Sequence, residues 1–287
     1  MLLLAALAAV GCSKRGETPD TPAESVDTVK PKPVATAGES AASHGSDGGL
    51  APAAPAKITA PMTFADGKAA YEARKYSDAT AIFERYTGRR PDNAWGHYML
   101  GLAAWKSGDP GKAEGAFAHA LRIDPDHIKS YVNLSRVLID QKRNDDALGR
   151  LTRAAEIDPS SNEVYRLLGR TYHAQGKTDD AVAAYRRAIE LNELDAWSMN
   201  NLGLLFLEER RADEALPLFA KAVELRKEVP AFHNNLGMAL EHTGRFAEAA
   251  VAYDKALTAD PGYDKAKQNL ARVEAVEKNG EAKATSK

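Results

Sequence analysis

Cysteine is almost absent from this sequence: Cys12 is the single cysteine among 287 residues. An intramolecular disulfide is therefore excluded, and a folded domain must be stabilised by apolar packing alone. The formal net charge is only −2, which argues against a strong electrostatic attraction to nucleic acid. After the first 11 residues, no apolar run approaches the roughly 20 residues that a membrane-spanning helix needs.

Motifs that carry enzyme chemistry are also lacking. The sequence has no glycine-rich phosphate-binding loop and no nucleophile elbow. The seven histidines, at positions 44, 97, 119, 127, 173, 233 and 242, show no paired helical spacing that suits a metal ion. We therefore expect a protein that has no catalytic residues, metal or cofactor and that acts by binding.

What the sequence does contain is a pattern that recurs every 34 residues. A Leu-Gly pair is followed by an alanine, then by a large apolar residue, a small residue and, in most units, a proline. The alanine is present in all six units, as Ala79, Ala113, Ala147, Ala181, Ala215 and Ala249. The large apolar residues are Phe83, Phe117, Leu151, Tyr185, Phe219 and Tyr253. A fixed period of this length is the signature of a repeat protein.

One unit shows what the pattern predicts. Leu100-Gly101 lies on the apolar face of a first helix, and Ala113 and Phe117 lie on the apolar face of a second helix. Gly101 and Ala113 are small, so the two helices can approach closely while Phe117 fills the remaining space. Gly108-Asp109-Pro110 provides the turn, since glycine ends a helix and aspartate and proline begin one.

This pattern resembles the tetratricopeptide repeat, W-x2-L-G-x2-Y followed by A-x3-F and P. The resemblance implies an all-α, right-handed superhelix (an α-solenoid) of six helix-turn-helix repeats plus a C-terminal capping helix. The expected repeats are 60–93, 94–127, 128–161, 162–195, 196–229 and 230–263, followed by the capping helix at 264–278 and a disordered tail at 279–287.

The N-terminal segment has a different character. Residues 1–11 are apolar, and Ala9-Val10-Gly11-Cys12 resembles a bacterial lipobox, which implies cleavage before Cys12 and acylation of that residue. In enteric bacteria Ser13, rather than aspartate, after the cysteine would favour the outer membrane. The alternative is an ordinary secretory signal with a chance cysteine. Residues 12–59 are rich in proline, alanine and serine, which predicts a disordered tether with a mean span of about 35–40 Å.

In tetratricopeptide domains, a second stripe on each first helix lines a concave groove, and the resemblance implies the same use here. The predicted groove residues are Trp95, Met99, Leu102, Lys106, Lys129, Asn133, Arg136, Arg170, Trp197, Asn201, Leu204, Asn235, Met238 and Asn269. The cationic members would make the middle of the groove basic, which suits an acidic segment or a carboxylate. The alternative is that these charges are simply solvated.

Asparagine recurs before the leucine in four units, as Asn133, Asn201, Asn235 and Asn269. An amide can donate to and accept from a peptide backbone at once. A similar ladder grips extended peptide in the superhelix of O-linked N-acetylglucosamine transferase. The alternative is a structural or inherited role. The ligand interpretation predicts that replacing Asn201 and Asn235 by alanine weakens binding with little loss of stability.

These features together suggest a non-catalytic scaffold of the bacterial cell envelope, lipid-anchored through Cys12, that binds envelope proteins or peptides. The architecture is similar to lipoproteins that pilot secretins in pilus assembly or dock peptidoglycan hydrolases. One alternative is a regulatory or substrate-recruiting subunit of a separate enzyme, such as a glycosyltransferase. Another is an extracytoplasmic protein without an anchor.

Overall fold

The computed structural model describes residues 62–285, and within them the chain is all α. The predicted signal peptide, Cys12 and the predicted tether lie outside the described residues. The described helices are α1 (Phe64–Glu72), α2 (Tyr76–Arg89), α3 (Ala94–Lys106), α4 (Pro110–Ile123), α5 (Ile128–Asp140), α6 (Asn144–Ile157), α7 (Asn162–Ala174), α8 (Thr178–Leu191), α9 (Ala196–Glu208), α10 (Ala212–Leu225), α11 (Pro230–His242), α12 (Phe246–Ala259) and α13 (Asp264–Thr285).

The helices form six antiparallel pairs, each packed on the next along the chain. From α3 to α11 every first helix has 13 residues, and from α2 to α12 every second helix has 14. This succession of helix pairs confirms the predicted fold class, an α-solenoid of helix-turn-helix repeats.

In five of the six pairs, a glycine of the first helix makes room for an aromatic ring of the second. A Cβ placed on Gly101 would lie only 2.6 Å from Cδ1 of Phe117. The glycine therefore sets the distance between the two helices. The repeated alanines are fully buried around these rings, which confirms the core predicted from the 34-residue pattern.

The turn inside each repeat requires one residue in the left-handed region of backbone conformation. Glycine takes this position in alternate repeats, as at Gly108 with φ of 87°. Arginine or lysine takes it in the others, at Arg74, Lys142 and Arg210 with φ of 58°, 61° and 61°. Side chains other than glycine adopt this conformation at a cost of about 1 kcal/mol, so three turns are mildly strained.

The stack curves in one direction. First helices of adjacent repeats contact each other, as α3 contacts α5 and α9 contacts α11, but in the described residues no second helix contacts the second helix of the next repeat. Because the repeats are closer on the side of the first helices, this side is concave. We call the surface formed by α3, α5, α7, α9, α11 and α13 the inner surface.

The two ends of the stack differ from the middle. Thr63 caps α1 in a reciprocal pair with Asp66. At the other end, α13 begins at Asp264 and continues to Thr285, beyond the predicted end at residue 278. This last stretch contains no proline and is rich in alanine, glutamate and lysine, which favour helix.

Candidate functional site on the inner surface

All fourteen predicted groove residues lie on first helices or on α13, but they differ in exposure. Trp95, Lys106 and Lys129 are exposed, and Asn133 and Asn235 are buried. The remaining residues are half-buried, so they both pack inward and present atoms at the surface: Met99, Leu102, Arg136, Arg170, Trp197, Asn201, Leu204, Met238 and Asn269. Whether these residues contact a ligand remains a prediction.

An aromatic cluster lies at the N-terminal end of the inner surface. The Trp95 indole meets the rings of Tyr98 and His127 edge-on, with centroids 5.3 and 5.0 Å away. Tyr98 and His127 are buried and lie 5.1 Å from each other. Burial raises the pKa of Tyr98 to about 12 and lowers the pKa of His127. Both rings are therefore uncharged at neutral pH and form a packing surface for the Trp95 indole.

The arginines in the middle of the inner surface are paired with carboxylates. Arg136 forms an ion pair with Glu163, which lies on the first helix of the next repeat. Arg170 lies 3.3 Å from a carboxylate oxygen of Asp140 on α5. The predicted basic centre is therefore largely neutralised, because acidic residues on neighbouring helices compensate these cations.

Arg166 takes part in the same network, since it lies 3.7 Å from Glu163. Its guanidinium donates to buried Asp195 across 2.9 Å. Asp195 also accepts hydrogen bonds from the Ser198 amide and hydroxyl, at 3.2 and 2.7 Å, and so caps α9. A buried carboxylate needs such partners to offset the loss of solvation. Arg166 therefore has a structural partner that links two repeats.

The asparagines of the last repeats are bonded to one another across helices. Asn269 donates to Asn234 and Asn235 donates to Asn200, each at 2.9 Å. Neighbouring amides within α11 and α9 approach to 3.4 and 3.5 Å, so that the contacts continue from Asn234 to Asn235 and from Asn200 to Asn201. Five amides thus form a connected row over three helices, which we call the asparagine row.

The asparagine in the third repeat is satisfied differently. The Asn133 amide donates to the Lys129 carbonyl at 2.9 Å and approaches the Tyr98 hydroxyl at 3.4 Å. Its side-chain oxygen accepts from Arg136 at 3.3 Å. Buried Asn133 therefore has its partners within the protein, as Asn235 does. Asn201 and Asn269 are half-buried and are better placed for a ligand.

The prediction from sequence missed the residues that complete these networks. Asn200 and Asn234 were overlooked as acceptors, although Asn-Asn-Leu-Gly occurs at 200–203 and again at 234–237. The acidic partners Asp140, Glu163 and Asp195 lie on or next to a different helix from the arginine they bind. Their pairing depends on how adjacent repeats stack, and a single repeat does not show it.

Among residues 62–285 there is no cluster of three or more histidine, cysteine or acidic side chains able to hold a metal ion. None of the helices in this part of the chain has the length and apolarity needed to cross a membrane.

Comparison with known proteins identifies the repeats. Family profiles described as tetratricopeptide repeat match residues 64–128, 200–264 and 104–171, and a profile described as TPR repeat matches 169–209. These matches run without a break from residue 64 to residue 264, so the chain belongs to the tetratricopeptide repeat family. No curated protein matches the sequence.

Many solved structures share the fold. The hetero-tetramer Cut9–Hcn1 has a TM-score of 0.64 at 19% identity, over 74% of this chain and 42% of that chain. PilF of Pseudomonas aeruginosa has a TM-score of 0.59 at 20% identity, over 69% of this chain and 90% of that chain. The MamA protein has a TM-score of 0.50 at 25% identity, over 60% of this chain and 94% of that chain. At the identities of the first two, the likeness shows the fold alone.

Proposed function

We propose that this protein is a non-catalytic scaffold that binds an extended segment of a partner protein along its inner surface. The observation that carries this proposal is the continuous row of half-buried side chains on the first helices. Met99, Leu102, Leu204 and Met238 offer apolar contact, and Asn201 and Asn269 offer amides, on a surface that the helix pairs leave uncovered. Membership of a family of interaction modules supports the same function.

The physical advantage of this surface is its preorganisation. Each first helix is held by its own second helix and by the first helices on either side. The asparagine row and the Arg136–Glu163 and Arg166–Asp195 pairs join successive repeats at the inner surface. A partner segment therefore binds to side chains that are already ordered, which reduces the entropic cost of association.

We further propose that the scaffold works in the bacterial cell envelope, anchored through acylated Cys12, where it assists assembly of an envelope complex. The lipobox-like sequence at residues 9–12 supports the anchor, and the composition of residues 12–59 supports a tether that would hold the repeats away from the membrane. Ser13 after Cys12, in place of aspartate, supports an outer-membrane location at the periplasmic face, as it would in enteric bacteria.

Site-specific photocrosslinking tests the binding surface. A photoreactive amino acid is placed at Leu204 on the inner surface, and in a matched variant at Val251, which is exposed on second helix α12. We expect a crosslinked partner from position 204 in intact cells and none from position 251. Crosslinks from Val251 alone would place binding on the outer side and overturn the proposed groove. Identification of the partner as the catalytic chain of a transferase would favour the alternative, a recruiting subunit.

Mass spectrometry of the mature N terminus tests the anchor. We expect a chain that starts at Cys12 and carries acyl groups, and that is extracted from membranes only by detergent. Cleavage after Cys12, or an intact cysteine without lipid, would rule out the lipid anchor but would leave the binding surface unaffected. The two parts of the proposal are therefore tested separately.

A further inference from the structure

We infer that Trp95 and Lys129 together form a docking site for an acidic peptide motif, in which an aromatic or aliphatic side chain lies next to a carboxylate. This inference rests on the proposed function, since it names the chemistry of the segment that the inner surface binds. The apolar side chain would pack against Trp95 and the carboxylate would pair with the Lys129 ammonium.

Trp95 is exposed at the inner surface. The residue is 49% exposed, and among residues 62–285 it is the aromatic one of the large hydrophobic residues that are exposed. The ring is nevertheless held in place, because Tyr98 and His127 contact it from below. An indole that is both fixed and half exposed provides apolar contact area without a large loss of conformational freedom on binding.

Lys129 places an exposed positive charge beside this ring. Its ammonium lies 5.5 Å from the centre of the Trp95 ring, on the neighbouring repeat. The two carboxylates that precede it in the sequence have other partners: Asp124 accepts from the Asp126 amide at 3.2 Å, and Asp126 lies 3.7 Å from Arg153. Glu163, which occupies the position equivalent to Lys129 in the next repeat, pairs with Arg136. A ligand carboxylate would therefore find at Lys129 a cation that no described acidic side chain neutralises.

The combination of Trp95 and Lys129 is not repeated at the equivalent positions of the other described repeats. Trp197 occupies the position equivalent to Trp95 three repeats later, but it is half-buried and packs edge-on against Phe232 at 4.7 Å. The position next to it, equivalent to Lys129, is Ala231. An exposed indole beside a cation is thus specific to α3 and α5, which favours a local binding site over a general property of the repeats.

Selection from a phage library of random 12-residue peptides on the immobilised full chain tests the inference. The selected peptides are then measured on Trp95→Ala, on Lys129→Glu and on Lys265→Glu, a control at the equivalent position of α13. We expect enrichment of an acidic residue adjacent to an aromatic or aliphatic one. Binding should weaken about tenfold on Lys129→Glu and on Trp95→Ala, and stay unchanged on Lys265→Glu.

The variants separate failure of the site from failure of the fold or of the function. Lys129→Glu changes an exposed charge and leaves the contacts of Trp95 with Tyr98 and His127 in place, so its effect does not depend on loss of the indole. Peptides that bind Lys129→Glu as tightly as the parent would overturn the inference. If those peptides instead lose affinity when Leu204 is replaced, the proposed groove stands without this site. Recovery of no binding peptide would contradict both proposals.

Discussion

The ring of Tyr185 occupies the space that a side chain on Gly169 would need: a Cβ on Gly169 would lie 2.6 Å from Cδ1 of Tyr185. The same relation holds between Gly237 and Tyr253, at 2.7 Å to the equivalent atom. The third repeat has serine in place of glycine at residue 135, and there the large residue, Leu151, has no ring. Compared with the other repeats, the third repeat thus has a larger residue on its first helix, Ser135, and a smaller one on its second helix, Leu151.

This exchange of volume predicts the effect of adding a methyl group. Gly169→Ala should lower the free energy of unfolding by about 1–3 kcal/mol, because the helices are already in contact through Tyr185. Adding Tyr185→Leu, the residue of the third repeat, should recover part of that loss. The measurement is urea unfolding of both single variants and the double variant, arranged as a double-mutant cycle.

A glycine without such a neighbour serves as the control. Gly115 lies inside α4, and a Cβ there would meet nothing within 4 Å. Gly115→Ala should therefore stabilise the chain by about 0.5–1 kcal/mol, through reduced backbone entropy of the unfolded state. If Gly169→Ala and Gly115→Ala had the same effect, the close packing on Tyr185 would not be what sets the helix spacing.

The turns inside the repeats allow a second prediction, in which stability increases. Lys142 and Arg210 each have φ of 61°, in the left-handed region where the equivalent residues of other repeats are glycine. Lys142→Gly should raise the unfolding free energy by about 0.5–1 kcal/mol, because it removes the strain of a side chain in this conformation. Thermal unfolding monitored by circular dichroism measures the change.

The same substitution in a helix should have the opposite sign. Lys255 is exposed within α12, where glycine is disfavoured relative to lysine. Lys255→Gly should therefore destabilise the chain by about 1 kcal/mol. A loss of stability in Lys142→Gly of similar size would show that the lysine in the turn contributes contacts that outweigh its backbone strain.

The fold was predictable from the sequence because the residues that determine how two helices pair lie within a single repeat. The spacing from Gly101 to Phe117 lies within one helix pair, so 34 residues suffice to read it. The networks on the inner surface were not predictable, because Arg136–Glu163 and Asn235–Asn200 join different repeats. The side chains that meet at the inner surface depend on the stacking angle between adjacent repeats, and that angle cannot be derived from the sequence pattern.

The asparagine row provides a third prediction and changes an expectation drawn from the sequence. Asn235 is buried and donates to Asn200 at 2.9 Å, so Asn235→Ala leaves a buried acceptor without its partner. We expect a loss of about 1–3 kcal/mol in unfolding free energy, rather than the small change expected when the residue was read only as a ligand contact.

Asn201 is the matched comparison, since it takes the same position one repeat earlier and is half-buried. Its side-chain oxygen makes a weak contact with the Asn200 amide at 3.5 Å. Asn201→Ala should cost less than about 1 kcal/mol in stability and should weaken binding of the partner. Equal stability losses in Asn201→Ala and Asn235→Ala, with unchanged affinity of the folded protein for its partner, would show that both asparagines contribute to folding and not to binding.

The last prediction concerns the dependence of stability on pH. Burial lowers the pKa of His127 and of His97 below the value of about 6.5 that histidine has in an unfolded chain. In the pH interval between the folded and the unfolded pKa of each histidine, the unfolded chain binds protons that the folded chain does not. Stability is therefore full above about pH 6.5 and falls as the pH is lowered through this interval.

His127 offers a specific test because it caps α5 through its neutral ring. Its Nδ1 accepts from the Ser130 amide at 3.2 Å, which protonation would prevent. His127→Asn retains a side-chain acceptor that does not titrate, and asparagine is a favoured cap. Unfolding midpoints measured between pH 5 and 7.5 should therefore fall less steeply for His127→Asn than for the parent, whatever the change in absolute stability. His97→Asn should remove a further part of the slope. An unchanged slope in both variants would mean that neither buried histidine couples proton binding to folding. Carboxylates do not confuse this test. Glu241, whose pKa is lowered by hydrogen bonds from Arg272, loses its contribution to stability only at lower pH.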